Sequence, residues 1–555
     1  MDLFSAGGLF VAVIMYAISV SPSLLPRRGF WHGLVSGTLM GAGYALGWIG
    51  QNLLTYAAHR LGFRVELSET AQIWVPTIFW VAVGLWFLRS VIGSYLSSRR
   101  AARLVEMRPE SWREYLLGLL ITLVFFAALV GVARAGAWVY TQLIHWLGQW
   151  MYEPLAGLLA ATVLVVLALF VSNKVVLGGF LMFFAREAER RNNRTAAGVH
   201  EPVVAERSGS PTSLCSWESV GAQGRTFLGR GPHRHRIGQV MGETALEPIR
   251  VYAGLVPGSV DFAEEAALVV QEMHRTGALD REVVLISVAT GSGWVDEWIV
   301  QSMEYLTRGN CATISMQYSY LFSAAIALTQ KELCLRSAEV LFAAVRAEID
   351  QLPPERRPKL IISGESLGAE AAQAPFLNFA DMRGRVDGAL LVGAPYRARI
   401  SRELTQGRHR GSPEVAPVYD SGKHARFVNE PGQLDRDLFG REFGPWEHPR
   451  IIFAQHASDP VVWFNRTVAF REPDWLRERV GLDVSPNMRF TPLVTLVQLI
   501  GDLPIAGTVP GGHGHTYTEE LLPSWARILD LDVSPELLAR IGRAIRSDVE
   551  SSGRR

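Results

Sequence analysis

The chain has 555 residues, 49% of them hydrophobic, and a mean hydropathy of +0.15, so it is too long for one ordinary domain and too apolar for a purely soluble one. Its formal net charge of +1 excludes the broad basic field that a nucleic-acid partner requires. Cys215, Cys311 and Cys334 lie too far apart for a C-x-x-C metal site or a disulfide framework, and a reducing compartment is the simpler expectation.

The apolar excess sits before about residue 185. A helix needs ~20 mostly apolar residues to cross the hydrocarbon core of a bilayer. Five stretches are expected to do so: Leu3–Leu25, Gly33–Ala57, Ile73–Leu88, Tyr115–Ala133 and Leu155 to about Val171, the last able to run on through "VVLGGFLMFF". The first begins almost at Met1 without a basic leader, so no cleavable signal peptide is expected. Within the second, "GLVSGTLMGAGYALGW" carries small residues at close spacing, which favours tight helix packing. Between the fourth and fifth, "AGAWVYTQLIHWLGQW" is rich in tryptophan and reads as an interfacial segment. Arginines cluster after the first, third and fifth stretches, at Arg27 and Arg28, from Arg89 to Arg113, and from Arg186 to Arg194. The other side has only Arg60, Arg64 and Arg134. The positive-inside rule then expects the N-terminus outside and everything after residue 185 in the cytoplasm. Arginines at alternate ends also argue against the alternative, a set of buried core helices.

Residues 186–247 are polar and weakly periodic, and are expected to link a helical membrane domain, residues 1–185, to a soluble domain, residues 248–555. The cluster His233–Arg236 has the composition to grip a phosphate, although a solvated turn is the commoner role. After it, β-rich runs occur at "IRVYAGL", "VVLISVA", "ATISMQYS", "KLIISG", "GALLVG" and "RIIFAQ", with helical patterns such as "DFAEEAALVVQEMHRTG" and "CLRSAEVLFAAVRAEIDQL" between them. Strands alternating with helices predict βαβ units and a mostly parallel sheet with helices on both faces. Continuously apolar runs suit strands buried on both sides.

Gly364-Glu365-Ser366-Leu367-Gly368 matches G-x-S-x-G. The motif is weak alone, but it follows the buried run "LIIS" and precedes a helical stretch of small residues, the strand–turn–helix setting of a nucleophile elbow. A serine nucleophile needs a base, and the base an orienting carboxylate, in the chain order Ser, Asp, His. "RIIFAQHASDPVVWF" places Asp459 just past a strand, and "VPGGHGHTYTEELL" offers His515 or His513 as the base. Asp437 and Asp502 follow no strand and are weaker acids. Amides for an oxyanion are expected from Leu367 and from the glycine-rich loop Thr290-Gly291-Ser292-Gly293-Trp294. That loop is also consistent with a plain βα connection. It lacks both G-x-G-x-x-G and a Walker lysine, which disfavours nucleotide binding.

Taken together, "SPSLLPRR", "GAGYALGW", "PIRVYAGL", "ATGSGWVDEW", "MQYSYL", "RPKLIISGESLGAE", "ASDPVVWF" and "GGHGHTY" resemble the membrane-anchored α/β-hydrolase family of bacteria, over nearly the whole chain. The resemblance implies an N-terminal transmembrane α-helical domain in the inner membrane and a C-terminal α/β-hydrolase fold. By position it implies Ser366, Asp459 and a histidine of the last motif as a triad. It implies no substrate.

The expected chemistry is therefore acyl transfer by a serine hydrolase that needs no metal or organic cofactor. The bilayer and a lipid or other acyl ester are the expected partners. The segment Tyr396–Phe427 has the length for a cap, and its arginines are placed either to meet anionic headgroups or simply to face solvent. A peptidase or acyltransferase would use the same triad, and a non-catalytic membrane scaffold is the remaining alternative. The oligomeric state is not legible.

Overall fold

The computed structural model describes residues 4–62, 68–256 and 261–551; the expected start of the first span, Leu3, lies outside them. The chain forms two compact units, one of Met1–Gly178 with Phe464–Pro510 and one of Gly179–Trp463 with Gly511–Arg555.

The first unit is helical: α1 Ala6–Ser19, α2 Gly29–Arg60, α3 Glu69–Leu104, α4 Trp112–Leu147 and α5 Glu153–Phe170. Among the described residues three helices, Glu69–Leu104, Trp112–Leu147 and Glu153–Val175, are long and apolar enough to cross a membrane, where five spans were expected. The difference has two causes. Helix α1, at 14 residues, is too short for the hydrocarbon core. Helix α2 has 32 residues, but its glycines and polar side chains dilute its hydropathy. The tryptophan-rich stretch expected at an interface is the C-terminal part of α4, because nothing between Ala133 and Leu147 breaks the helix.

The small residues of α2 do bring backbones together. A Cβ at Gly33 would lie 2.4 Å from Ile121, and one at Gly37 would lie 2.9 Å from Phe125, both on α4. Positions four apart share a helix face, so this stripe sets the α2–α4 contact. The distant segment 464–510 joins the unit through Asp502, whose Oδ1 is 3.1 Å from Arg27 Nη1 with both side chains buried. Beside it, Gln498 Nε2 donates to the carbonyls of Ser19 and Ser21, each at 3.1 Å.

The second unit holds a seven-stranded sheet: β1 Ile249–Ala253, β2 Val283–Val288, β3 Cys311–Met316, β4 Lys359–Glu365, β5 Gly388–Val392, β6 Ala425–Val428 and β7 Arg450–Ala454. The order is β1-β3-β2-β4-β5-β7-β6, and every pair is parallel. Alternate residues serve opposite cores. Val284, Ile286, Leu360, Ile362, Ala389 and Leu391 pack on one face, and Val283, Leu285, Ile361, Leu390 and Val392 on the other. Helices Ala263–Thr276 and Lys331–Asp350 supply the first core, and Glu297–Leu306 and Leu521–Ile528 the second. This is the expected α/β-hydrolase fold class.

Two expectations change here. Strand β6, "ARFV", was not anticipated, because its four residues lie in an arginine-rich stretch. The presumed linker is packed rather than loose. It contains the helices Gly221–Gly229 and Arg234–Met241, and the buried Arg207 donates to the carbonyls of Leu228, Arg230 and Pro232. On β1, Arg250 is fully buried and paired to Glu304, Nε to Oε1 at 2.7 Å and Nη2 to Oε2 at 2.9 Å.

Candidate active site

Ser366 caps the helix Leu367–Ala371 directly after β4, with φ 56° and ψ −123°. A non-glycine residue holds such a backbone only where its surroundings enforce it. The enforcing contacts are close. A Cβ at Gly364 would lie 2.5 Å from Gly368 C, and one at Gly368 would lie 2.5 Å from Val288 O at the end of β2. The Ser366 N–H donates to Val392 O on β5 at 2.9 Å. The elbow thus sits at the carboxyl ends of the central strands, where open α/β sheets bind ligands.

Asp459 follows β7 and is fully buried. Its Oδ2 accepts from His515 Nδ1 at 2.6 Å and from the Tyr517 hydroxyl at 2.9 Å, and its Oδ1 accepts from the Val461 N–H at 2.8 Å. The Nδ1–H on Asp459 leaves His515 Nε2 as the acceptor. The imidazole lies over the elbow: a Cβ at Gly393, next to Val392, would be 2.9 Å from His515 Nδ1. His515 Nε2 is buried and makes no hydrogen bond, so the Ser366 hydroxyl does not engage it in this structure. Such contacts commonly tighten only around substrate.

Two loops are stitched together to hold this pair. Ser458 Oγ accepts from the Gly514 N–H at 2.8 Å, and His456 Nδ1 is 2.9 Å from Gly514 O. The His456 ring stacks on Tyr517 with centroids 4.1 Å apart. Burial, then the charge of Asp459, pushes the Tyr517 phenol well above its usual range, so it remains a donor. His456, Ser458 and Tyr517 were not anticipated, although all three lie within the motifs that carry Asp459 and His515.

The other expected site residues fall as follows. His513 bridges to Thr516 through its backbone, and the imidazole on Asp459 is that of His515. Leu367 opens its helix, where an amide has no intrahelical partner. In the loop after β2, the Gly293 and Trp294 amides already donate to Thr290 O, at 3.2 and 3.0 Å, because the loop closes on itself as a turn. The Gly291 and Ser292 amides lie outside that pair of turn bonds. Asp437 is engaged by Arg441 at 2.6 Å, and Asp502 by Arg27. His233 lies 2.6 Å from Glu247, so the basic cluster answers a carboxylate within the fold. In the expected cap, Arg397 pairs with Glu370 at 2.9 Å and Arg399 donates to Phe376 O, which ties them to the protein rather than to headgroups. A cavity of about 660 Å³ lined by Arg426, Trp446 and Arg450 includes none of the elbow or its partners.

The alpha/beta-hydrolase family matches residues 249–541, and the N-terminus of an alpha/beta-hydrolase family matches residues 20–232. No curated protein and no solved structure matches the chain. With more than half its length matched and the parallel sheet in place, the chain belongs to the alpha/beta-hydrolase family, and its function is of the hydrolase type.

Proposed function

We propose that the chain is a serine hydrolase cleaving an ester by acyl transfer. The observation that carries this reading is the 2.6 Å contact of His515 Nδ1 with Asp459 Oδ2 beside a strained Ser366 elbow. Ser366 Oγ attacks the carbonyl carbon while His515 Nε2 takes its proton and then passes it to the leaving alkoxide. Asp459 holds the imidazole in the tautomer that keeps Nε2 a base. The Leu367 amide, with that of Gly291 or Ser292, donates to the oxyanion. Water then attacks the acyl-enzyme by the reverse path and releases the acid.

Three helices among the described residues, apolar enough to span a bilayer, support membrane association and hence a lipid or long acyl ester, because tethering raises the effective concentration of substrates held in the same surface. The test is fluorophosphonate labelling of the full chain, with hydrolysis of p-nitrophenyl esters of rising chain length beside peptide substrates. Labelling is expected to vanish in Ser366→Ala, and ester turnover to exceed peptide turnover. Labelling that persists in Ser366→Ala removes the nucleophile from this reading, and turnover of peptides alone removes the ester.

A further inference from the structure

The loop expected to supply an oxyanion amide is held by two side chains that the mechanism above leaves unused. Tyr252 on β1 and Gln317, the residue after β3, are both fully buried. The Tyr252 hydroxyl donates to Gly293 O at 2.8 Å, and Gln317 Nε2 donates to Ser292 O at 2.7 Å. The turn thus leaves β2 and is gripped from β3 and β1, the next two strands in the sheet order. Gln317 is itself fixed. Its Nε2 also donates to Asn192 Oδ1 at 2.9 Å, and its Oε1 accepts from the Leu255 N–H at 3.4 Å. A main-chain carbonyl at one end and a main-chain N–H at the other determine which end is nitrogen. Asn192 Oδ1 accepts in turn from the Ala222 N–H at 3.3 Å. Both protons on Gln317 Nε2 are therefore committed. Glycine makes the approach possible, since Gly293 has φ 96° and a Cβ there would overlap the Tyr252 hydroxyl.

We propose that Tyr252 and Gln317 are positioning residues for the oxyanion, which hold the turn 290–294 so that its amides stay aimed at the oxygen that becomes charged. The inference rests on the serine-hydrolase reading above and names what orders one of its parts. The peptide planes Ser292–Gly293 and Gly293–Trp294 are each engaged on both sides, their carbonyls by Gln317 and Tyr252 and their N–H groups by Thr290 O. A plane held on both sides does not turn over and point its carbonyl at the oxyanion, which would repel it. Donors fixed in advance cost no reorganisation as the charge develops, so the two anchors act on the transition state rather than on the bound ester. Neither side chain bonds to substrate, and no proton passes through either.

Tyr252→Phe removes one anchor and keeps the ring. Gln317→Glu sets an acceptor against Ser292 O and Asn192 Oδ1. Both are measured in the full chain on a p-nitrophenyl ester, with active sites counted by fluorophosphonate labelling so that an unfolded fraction does not enter kcat. Removing an oxyanion donor outright costs ~10²–10³ in kcat, so loosening one is expected to cost about tenfold in Tyr252→Phe and more in Gln317→Glu, with KM within about twofold. The inhibition constant of a trifluoromethyl ketone, whose hemiketal with Ser366 carries the same oxyanion, is expected to rise by the factor by which kcat/KM falls. A merely structural role lowers the count of active sites and leaves kcat per site unchanged. That result, or a loss of kcat with unchanged affinity for the trifluoromethyl ketone, overturns the anchors. Tyr252→Phe decides the matter alone where Gln317→Glu does not fold. Labelling that survives in Ser366→Ala overturns instead the reading on which the anchors rest.

Discussion

The helical unit and the sheet unit dispose their apolar surface differently. In the sheet unit Val283, Val284, Leu285 and Ile286 are fully buried, and apolar packing defines both faces. In the helical unit Leu54 and Val132 are more than 70% exposed, while Ser19, Thr122 and Asp502 are fully buried. The sheet unit is assembled by removing apolar surface from water. The helical unit turns much of that surface outward, as suits hydrocarbon surroundings, and adds to a small apolar core around Met40 and Phe126 close backbone approach and interior polar contacts such as Tyr16 to Tyr115 at 3.3 Å. The same residue type therefore does different work in each. Asp459 is fully buried in the sheet unit against His515, and Asp502 is fully buried in the helical unit against Arg27.

That contrast can be broken most sharply by one isosteric change made in both units. Asp459→Asn is expected to lower the labelling rate by about 10⁴-fold, because the imidazole is left in the wrong tautomer. Asp502→Asn is expected to leave labelling of the folded protein within a few-fold, but to destabilise it by about 3–5 kcal/mol, since Arg27 keeps a buried charge without its partner. Equal loss of labelling in the two variants would end the distinction. Arg250→Met, which strands Glu304 in the sheet unit, is expected to cost a similar ~3–5 kcal/mol in thermal or denaturant unfolding.

Gly37→Leu is expected to cost about 1–3 kcal/mol by overpacking the α2–α4 contact, read as a lower melting temperature in detergent. An unchanged melting temperature would mean that the small-residue stripe does not hold the helices. Tyr517→Phe removes one of the two donors to Asp459 Oδ2, worth about 1 kcal/mol, and is expected to slow labelling by up to roughly tenfold.

The smallest effect expected is in acid. Burial opposes the charge of Glu520, but His456, whose Nε2 lies 3.4 Å from Glu520 Oε1, holds its carboxyl below the usual range. A folded value below the unfolded one contributes stability that is present above the unfolded value, about 4.3, and lost as pH falls through the folded value. The melting temperature of wild type should fall more steeply below about pH 4.3 than that of Glu520→Gln. Parallel slopes would remove Glu520 from the acid response.

Much of the fold was legible because its signals are local. Apolar runs of strand length named six of the seven strands, and G-x-S-x-G between a buried run and small residues marked the elbow. The failures share one cause, polarity turned inward. Arg207 and its neighbours made 186–247 look like a linker, although that guanidinium is consumed by carbonyls inside the fold. Strand β6 was hidden by Arg426, which donates to Gly422 O at 3.0 Å and whose guanidinium stacks 3.9 Å from the Trp446 ring centroid. At the candidate site, Ser366, Asp459 and the two histidines stood out by motif. Glu365 sat inside the same motif unnoticed, since nothing in its spacing points to His515, whose Nε2 lies 3.8 Å from its Oε1.

The sequence alone determined the element types, the apolar character of the N-terminal third and the turn chemistry at the elbow, because periodicity and glycine placement act over a few neighbouring residues. Only the tertiary structure decided that His515 is the imidazole on Asp459, that 464–510 joins the N-terminal helices, and that Glu365 Oε1 lies 3.8 Å from His515 Nε2. Those contacts join residues as far apart as 56 positions for His515 with Asp459 and 479 for Gln498 with Ser19. At such separations the packing of whole elements sets the distance, and chain spacing carries no information about it.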